Sequence, residues 1–417
     1  MIDIKSMIEA NRNGEAKGLP CFCTANEHVI RAILQDAART GLPTVIEATC
    51  NQVNQDGGYT GMTPADYFSW IGEMAAEAGV PMDQIIMGGD HLGPNPWRKE
   101  AADTAMEKAR ELVRLYVSAG FRKIHLDASM QLGGEPPLSF AQIAERAADL
   151  CTVAEEHAPD PDKLVYIIGT EVPIPGGETK EPDALDVTSV PRFKDTIETH
   201  REAFAKRGLD AAWSRIVSVV TQPGVDFGHT SVFTFDPAPA KPLAEAILTE
   251  PAISYEAHST DYQPTEALAQ LVENHFFFLK VGPELTFRFR EAVFALAEIE
   301  AQIAPEKPSG LKSIVKRRMA ENDGYWRDYY HGSESETALL RIFSYSDRIR
   351  YYWTDPEIAE ALDTLIANLK GAEVSETIVS QYFTGLEFGG MPTDPDALIS
   401  GHVQRCVQRY NEAAGLV

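Results

Sequence analysis

Short apolar segments alternate with longer amphipathic segments along most of this chain, and this alternation constrains the fold more than any other feature. Strands that alternate with helices are typical of βα units and of a parallel sheet. Eight such units can be counted over about 300 residues, which favours a closed barrel over an open sheet. We therefore predict an α/β fold, namely a (β/α)8 TIM barrel.

The predicted strands cover residues 20–24, 44–48, 85–89, 123–127, 164–169, 215–221, 253–256 and 277–281. Helical patterns lie between them, for example at 65–78, 99–119, 141–155, 191–207 and 284–303. The alternation ends after Pro305, because residues 310–323, 335–344, 356–369 and the end of the chain have helical patterns without strands. We expect a barrel over residues 1–305 and a C-terminal helical extension over 306–417, which could act as a lid or an interface.

The composition of the chain limits the classes of molecule that it can bind. The formal net charge of −25 opposes binding to nucleic acid or to anionic lipid. A single phosphate on a small substrate remains compatible with this charge, because it needs only a few local donors. We see no apolar run of the roughly 20 residues that a membrane helix needs and no secretion signal. A cytoplasmic protein without a membrane partner is expected, and its five cysteines, which lack paired spacing, are predicted to be reduced thiols.

Polar residues follow five of the predicted strands, from the third to the seventh, at the end where barrel enzymes build their sites. The segments are GGDH at 88–91, KIHLDAS at 123–129, GTEVPIPGGE at 169–178, QPGVDFGH at 222–229 and YEAHSTD at 255–261. Imidazole and carboxylate groups are ligands of zinc and related divalent metals. A lone histidine is more often packed or capping, but four candidates at four strand ends favour a metal. The predicted ligands are His91, Glu171, His229 and His258.

Five longer segments carry a resemblance to a known family. They are NQVNQDGGYTGMTPAD at 51–66, GGDHLGPNPW at 88–97, GFRKIHLDAS at 120–129, YEAHSTDYQ at 255–263 and SDRIRYYW at 346–353. Over essentially its whole length the chain resembles the accessory subunits of tagatose-bisphosphate aldolase, once described as tagatose 6-phosphate kinases. The resemblance implies a TIM barrel, a ketose-phosphate substrate and a catalytic class II tagatose-bisphosphate aldolase as a partner. It leaves open whether the chain forms a homo-oligomer.

That family is in turn similar to class II, metal-dependent fructose-bisphosphate aldolases, which have a DH pair, an E-x6-E segment containing GG, and two later histidines. The corresponding residues here are Asp90 with His91, Glu171 with Glu178, His229 and His258. The resemblance thus implies the same four ligands and a divalent ion, with zinc first and manganese, cobalt, nickel or magnesium as alternatives. This chain departs from the aldolases at Ser259 to Asp261, where they have a Gly/Ser-rich phosphate loop, and at Thr179, where they have a second acid.

The family has been given three roles, namely kinase, non-catalytic aldolase subunit and ketose-phosphate 4-epimerase. The kinase role is disfavoured because the chain has no GxxxxGK[ST] segment. Inversion at C4 of a 2-ketose cannot start by enolisation, since the C4 hydrogen is not acidic, whereas cleavage and re-formation of C3–C4 solves this. We expect a metal-dependent D-tagatose 6-phosphate 4-epimerase that gives D-fructose 6-phosphate. The alternatives are the supporting subunit and an independent class II ketose-bisphosphate aldolase.

An epimerase of this kind needs proton-transfer groups on both faces of the substrate. Asp90 is the first candidate, although it could equally orient His91. Glu178 or Asp261 is the second, with loop solvation or helix capping as the alternative roles. The residues predicted to bind substrate hydroxyls or phosphate are Asn51, Gln52, Asn54, His125, Asp127, Ser259, Thr260, Lys280, Arg348 and Arg350.

Overall fold

Eight parallel strands form a closed barrel, as the alternating pattern predicts. The computed structural model describes residues 2–173, 185–386 and 389–417. The barrel strands are β1 (Leu19–Cys23), β2 (Thr44–Thr49), β3 (Ile85–Leu92), β4 (Lys123–Leu126), β5 (Val165–Ile168), β6 (Ile216–Val220), β9 (Ser254–Ala257) and β10 (Phe276–Val281). Two short antiparallel strands, β7 (Asp226–Phe227) and β8 (Val232–Phe233), form a hairpin between β6 and β9 that the sequence pattern does not predict.

Helices connect successive strands around the barrel, and further helices follow it. Those up to the last strand are α1 (Ile4–Arg12), α2 (Glu27–Thr40), α3 (Pro64–Ala78), α4 (Ala102–Ala119), α5 (Phe140–His157), α6 (Val190–Lys206), α7 (Asp210–Trp213), α8 (Pro237–Ile247) and α9 (Thr265–Glu273). After β10 come α10 (Pro283–Ile303), α11 (Leu311–Glu321), α12 (Glu334–Phe343), α13 (Pro356–Lys370), α14 (Glu376–Tyr382) and α15 (Pro395–Ala413). No helix in these described ranges is long and apolar enough to span a membrane.

Local sequence signals set the ends of several helices. Thr63 and Asp66 form a capping box in front of α3, and Pro64 occupies the first helical position, where its missing N–H costs nothing. Helix α2 ends at Gly41, whose φ of 69° is in the left-handed region that glycine adopts without strain. The strands are buried along nearly their whole length, as expected of a parallel sheet that is covered on both faces.

The two ends of the barrel differ in what covers them. Helix α1 closes the N-terminal end, where Ile4 and Ile8 pack into one apolar cluster with Leu19, Val45 and Ile86 of the first three strands. A cluster of this kind excludes water from that end. The polar residues that the sequence places after the strands lie at the opposite end.

The extension folds back onto the barrel. Helix α15 packs against α2, α9 and α10, and α13 packs against α10 and α11. Tyr410 of α15 donates from Oη to the carbonyl oxygen of Thr260 at 2.6 Å, so the end of the chain is tied to the loop that follows β9. The five cysteines are free thiols, which confirms the expectation from their spacing.

His200 gives the fold a pH-dependent term. Its imidazole is fully buried in α6, Nδ1 donates to the carbonyl oxygen of Thr196 at 2.8 Å, and Nε2 has no partner among the described residues. Burial lowers the pKa of His200 to about 4, so the unfolded chain takes up this proton more readily than the folded one. Stability is therefore lost as the pH falls from about 6.5 to about 4, by up to about 3 kcal/mol.

We expect His200→Gln to reduce the loss of unfolding free energy between pH 7 and pH 5, because the substituted side chain does not titrate. Urea denaturation at the two pH values measures it, and His157→Gln is the matched control, since His157 is exposed at the end of α5. Equal pH dependence in the wild type and the His200 variant would contradict the assignment.

Candidate metal centre and cavity at the barrel mouth

Four buried polar side chains meet at the C-terminal end of the barrel. Asp90, His91, His125 and His258 each offer one potential ligand atom, and these atoms all lie within 4.8 Å of one another. The three imidazole rings are mutually close, with centroid separations of 5.0 Å for His91 and His125, 4.9 Å for His91 and His258, and 5.2 Å for His125 and His258. We refer to these four residues as the histidine cluster.

An irregular end of β3 brings two consecutive residues into the cluster. Successive side chains of a regular strand point to opposite faces. The pairing of β3 with β4 shifts register between Gly89 and Leu92, and His91 has a φ of 48°. This local departure from strand geometry lets both Asp90 and His91 reach the same point. The predicted third strand stops at Gly89, whereas β3 continues because Asp90 still pairs with Thr49 of β2.

Each imidazole of the cluster is held by a carboxylate through one of its ring nitrogens. The pairs are His91 Nδ1 with Asp127 Oδ2 at 2.8 Å, His125 Nδ1 with Asp90 Oδ1 at 2.9 Å, and His258 Nε2 with Glu256 Oε1 at 2.8 Å. We assign the proton of each pair to the ring nitrogen, which leaves a lone pair on the other nitrogen. Carboxylates that orient metal-ligating histidines in this way are a common feature of metal sites.

The carboxylates of these pairs are ionised. Burial alone would raise the pKa of Asp90, but the neighbouring His91 and His258 and the hydrogen bond from His125 lower it well below its usual range. Burial is likewise outweighed at Asp127, where His91 and Ser129 lower the pKa to about 2. Ser129 donates to Asp127 Oδ1 from both its backbone nitrogen and its hydroxyl, at 3.1 Å and 2.7 Å.

One ring nitrogen in the cluster lacks a partner. His125 Nε2 is buried and has no hydrogen bond within the described part of the chain. A buried polar atom without a partner is costly, and a metal ion would satisfy it. His91 Nε2 lies 3.7 Å from Asp90 Oδ2, a separation compatible with bonds of about 2.0–2.2 Å from both atoms to one ion.

The charges around the cluster also match a divalent ion. Four carboxylates and two ammonium groups surround the histidines, and all six are buried. They are Asp90, Asp127, Glu47 and Glu256, with Lys123 and Lys280. Four negative charges against two positive ones leave two negative charges when the imidazoles are neutral. The donor set and the charge therefore fit a divalent cation, held by Asp90, His91, His125 and His258.

Two of the predicted metal ligands are not part of the cluster, although His229 lines the cavity that opens above it. Glu171 follows β5 and forms a salt bridge with Arg192 of α6. His229 lies in the β7–β8 hairpin, where Nδ1 is 3.1 Å from Ser346 Oγ and Nε2 donates to the carbonyl oxygen of Tyr329 at 2.9 Å. The structure thus brings His91 and His258 together, but it places Asp90 and His125 beside them in place of Glu171 and His229. Glu178 lies outside the described residues.

A cavity of 510 Å³ opens above the cluster. Asp90, His91 and His258 line its floor. Residues of the extension also line it, among them Tyr329, Ser346, Arg348, Arg350, Tyr351 and Trp353. The cavity is therefore lined jointly by the barrel and the extension.

Arg348 and Arg350 bring positive charge to this cover. Both belong to a 3₁₀ turn at Arg348–Tyr352. The Arg348 guanidinium lies over the ring of Tyr329, 3.3 Å from its centroid, and Arg350 Nη2 donates to Tyr351 Oη at 2.8 Å. These aromatic contacts hold two cations at the cavity wall, where the sequence predicted a phosphate contact if the extension folded over the barrel.

The polar loop after β2 contributes only part of what was predicted. Asn51 and Gln52 line the cavity, whereas Asn54 is not among its lining residues. The side chain of Asn54 donates to the carbonyl oxygen of Cys50 at 2.8 Å and accepts from the backbone of Gly58 at 3.0 Å, so its contacts hold the loop. Asn54 therefore has no polar group left facing a substrate.

Several other predicted substrate contacts are also engaged within the protein. His125 and Asp127 do not line the cavity, because both are buried, His125 as part of the cluster and Asp127 against His91. Thr260 Oγ1 donates to the carbonyl oxygen of Lys280 at 2.7 Å. Lys280 lines the cavity, but its Nζ is 2.9 Å from Asp90 Oδ1 and also pairs with Glu47, so it is not a free phosphate contact.

Ser259 and Asp261 do reach the cavity wall. Ser259 has a φ of 53°, an uncommon conformation directly after His258. Asp261 Oδ1 accepts from the backbone nitrogens of Gly282 and Glu284, at 2.9 Å and 2.8 Å, and so caps α10. Burial raises the pKa of Asp261 to about 7, which makes it a group that can exchange a proton near neutral pH.

Comparisons with known proteins confirm the resemblance seen in the sequence. Residues 4–415 match the model of the family described as D-tagatose-1,6-bisphosphate aldolase subunit GatZ/KbaZ-like. The chain is 46% identical, over 98% of each sequence, to the D-tagatose-1,6-bisphosphate aldolase subunit GatZ of Klebsiella pneumoniae. A solved structure from Sinorhizobium meliloti 1021, described as a probable tagatose 6 phosphate kinase, aligns with a TM-score of 0.88 at 43% identity, covering 95% of this chain and all of that one.

A match that runs through both the barrel and the extension, at this level of identity, shows common ancestry of the whole chain. The chain therefore belongs to the GatZ/KbaZ-like family of D-tagatose-1,6-bisphosphate aldolase subunits.

Proposed function

We propose that this chain is a non-catalytic subunit that supports a class II D-tagatose-1,6-bisphosphate aldolase. The observation that carries the proposal is the full-length similarity to a protein named as a D-tagatose-1,6-bisphosphate aldolase subunit. The similarity covers the helical extension as well as the barrel, so the whole chain is available for the same role. A supporting subunit acts by binding the folded catalytic chain, which raises the stability of that chain by mass action.

The supporting role predicts that a catalytic class II tagatose-bisphosphate aldolase will gain activity or half-life when this chain is added. Release of triose phosphate from D-tagatose 1,6-bisphosphate, followed at 37 °C, measures both, and an equal amount of serum albumin is the control. We expect a several-fold longer half-life and no release by this chain alone. A partner whose activity and half-life do not change would refute the supporting role.

A variant of the cluster separates binding from chemistry in the same assay. His91→Ala removes a cluster imidazole whose ring lies inside the barrel mouth, so it leaves the outer surface unchanged. A supporting role that depends only on binding is expected to survive this substitution. A supporting role that is lost with it would indicate that the cavity contributes to the reaction of the complex.

A second candidate is the D-tagatose 6-phosphate 4-epimerase, and the histidine cluster with its enclosed cavity is the observation that favours it. Cleavage of C3–C4 leaves an enediolate and an aldehyde, and re-addition to the other face of the aldehyde inverts C4. Such a reaction needs a retained aldehyde. A cavity that is covered by the extension fits this need better than an open barrel mouth does.

The residues around the cavity would divide the work in the following way. Asp90, His91, His125 and His258 would hold the divalent ion, which as a Lewis acid supplies charge stabilisation at the substrate oxygens. Asp261 would exchange the proton of the C4 hydroxyl, because its carboxyl lines the cavity and titrates near neutral pH.

Recognition would come from the upper part of the cavity. Arg348 and Arg350 would bind the phosphate from the side of the extension, since guanidinium groups match phosphate geometry. Asn51 and Gln52 would contact hydroxyl groups. Asp90 is less suited to proton transfer than the sequence suggests, because its low pKa and its contacts with His125 and Lys280 keep it ionised.

The epimerase role predicts that isolated, metal-loaded protein will convert D-tagatose 6-phosphate to D-fructose 6-phosphate. A ¹³C NMR time course detects the product, and a coupled assay for triose phosphate tests for an aldolase that releases its fragments. We expect His91→Ala to lower the rate at least 100-fold, since it removes a ligand. An unchanged spectrum with the wild-type protein would refute epimerisation.

The composition of the metal site is tested without any assay of activity. Elemental analysis after zinc loading is expected to show loss of bound metal in His125→Ala and retention in His229→Ala, because only His125 lies in the cluster. The two variants serve as controls for each other. Retention in the first variant and loss in the second would favour the ligand set that the family resemblance implies.

A further inference from the structure

A chain of alternating charges crosses the barrel interior close to the histidine cluster. At its centre is Lys123 of β4, a side chain with no exposed surface. Its Nζ lies 2.7 Å from Glu47 Oε1 of β2 and 2.5 Å from Glu256 Oε2 of β9. The ring of Phe278 lies 4.8 Å from the same nitrogen. None of Glu47, Lys123 and Glu256 lines the cavity, so none of them contacts a substrate there.

Both ends of this charge chain reach the histidine cluster. On one side, the second oxygen of Glu256 accepts from His258 Nε2 at 2.8 Å. On the other, the second oxygen of Glu47 pairs with Lys280, whose Nζ is also 2.9 Å from Asp90 Oδ1. The connected path is His125, Asp90, Lys280, Glu47, Lys123, Glu256 and His258.

Stability alone does not account for this arrangement. Barrel interiors are usually filled by layers of branched aliphatic side chains. Replacing a buried ion pair by apolar residues of similar size is often neutral or stabilising, because each ion costs several kcal/mol to desolvate. A Cβ at Gly88 would lie 2.6 Å from the side chain of Glu47, so the glycine leaves room for that side chain in the barrel interior.

We propose that Lys123 is a positioning residue for the histidine cluster. It holds the side chain of Glu256 in place, and Glu256 Oε1 in turn accepts from His258 Nε2, so that Nδ1 is presented to the cluster. Through Glu47 and Lys280 the same ammonium group also orders Asp90, which does the equivalent for His125. This proposal rests on the metal site of the second candidate function and adds residues that the sequence comparison with aldolases does not include.

Without Lys123, Glu256 would keep only its hydrogen bond from His258, and Glu47 only its ion pair with Lys280, among the contacts described above. A Glu256 side chain that is held on one side alone no longer fixes the orientation of the His258 ring. The free energy needed to order the ligands would then reduce the net free energy of metal binding. Substitutions of groups that orient metal ligands typically weaken metal affinity by about 10- to 100-fold.

The test compares Lys123→Met with the wild type in full-length protein, using cobalt(II) and zinc(II) as probes. Competition with a chromophoric chelator gives the affinity, the cobalt absorption spectrum reports the ligand geometry, and thermal unfolding of the metal-free protein gives the stability. We expect about 10- to 100-fold weaker binding and an altered cobalt spectrum. Lys163→Met is the matched control, because Lys163 is a half-exposed lysine paired only with Asp160.

A lower melting temperature with unchanged affinity and an unchanged cobalt spectrum would overturn the proposal, since Lys123 would then only fill the barrel. If Lys123→Met does not fold, Glu256→Gln provides the same test, because it keeps the size of the side chain but removes the charge facing His258. Full affinity in a folded Glu256→Gln protein would equally overturn it. A wild type that binds neither ion would refute the metal site itself, an outcome distinct from variants that bind as well as the wild type.

Discussion

The burial of charged side chains inside the barrel is the constraint on which the candidate site depends. Desolvating an ion costs several kcal/mol, so each buried charge must be paired by a group that another strand supplies. Lys123 shows how this works, because its two carboxylate partners come from β2 and β9, on opposite sides of its own strand in the barrel. Closure of the barrel places those strands within reach of one side chain. The ion pairs that result hold the residues of the histidine cluster in place.

The fold was predictable because it depends on a pattern that repeats. Eight apolar segments and the helices between them indicate a barrel without knowledge of any single contact, and the barrel geometry then predicts that strand ends converge. His91 and His258 were placed together correctly on this basis alone. Their positions are fixed by the strands they end, whereas Glu171 and His229 follow their strands in loops, where the sequence does not determine direction.

The two-residue spacing of polar side chains around His125 indicates that it faces the barrel interior. Lys123 and His125 are spaced two residues apart in β4, so they share one face, the inside of the barrel, and Asp127 follows the strand at the same spacing. Polar side chains at this spacing in a buried strand require partners across the barrel. The partners themselves, such as Glu47 in β2, could not be inferred, because pairing across a barrel depends on stagger and rotamers.

The two proposed roles place their demands on different parts of the molecule. A supporting subunit needs an outer surface that fits its partner, while an epimerase needs the enclosed cavity and the ordered cluster. Closure by the extension links these parts, since the turn that carries Arg348 and Arg350 over the cavity follows directly after α12, whose Leu339 and Phe343 are among the exposed large apolar side chains. A partner that contacts the extension would therefore gain stability from the complex. It would also affect the residues of the extension that line the cavity. The two roles are thus compatible in one chain.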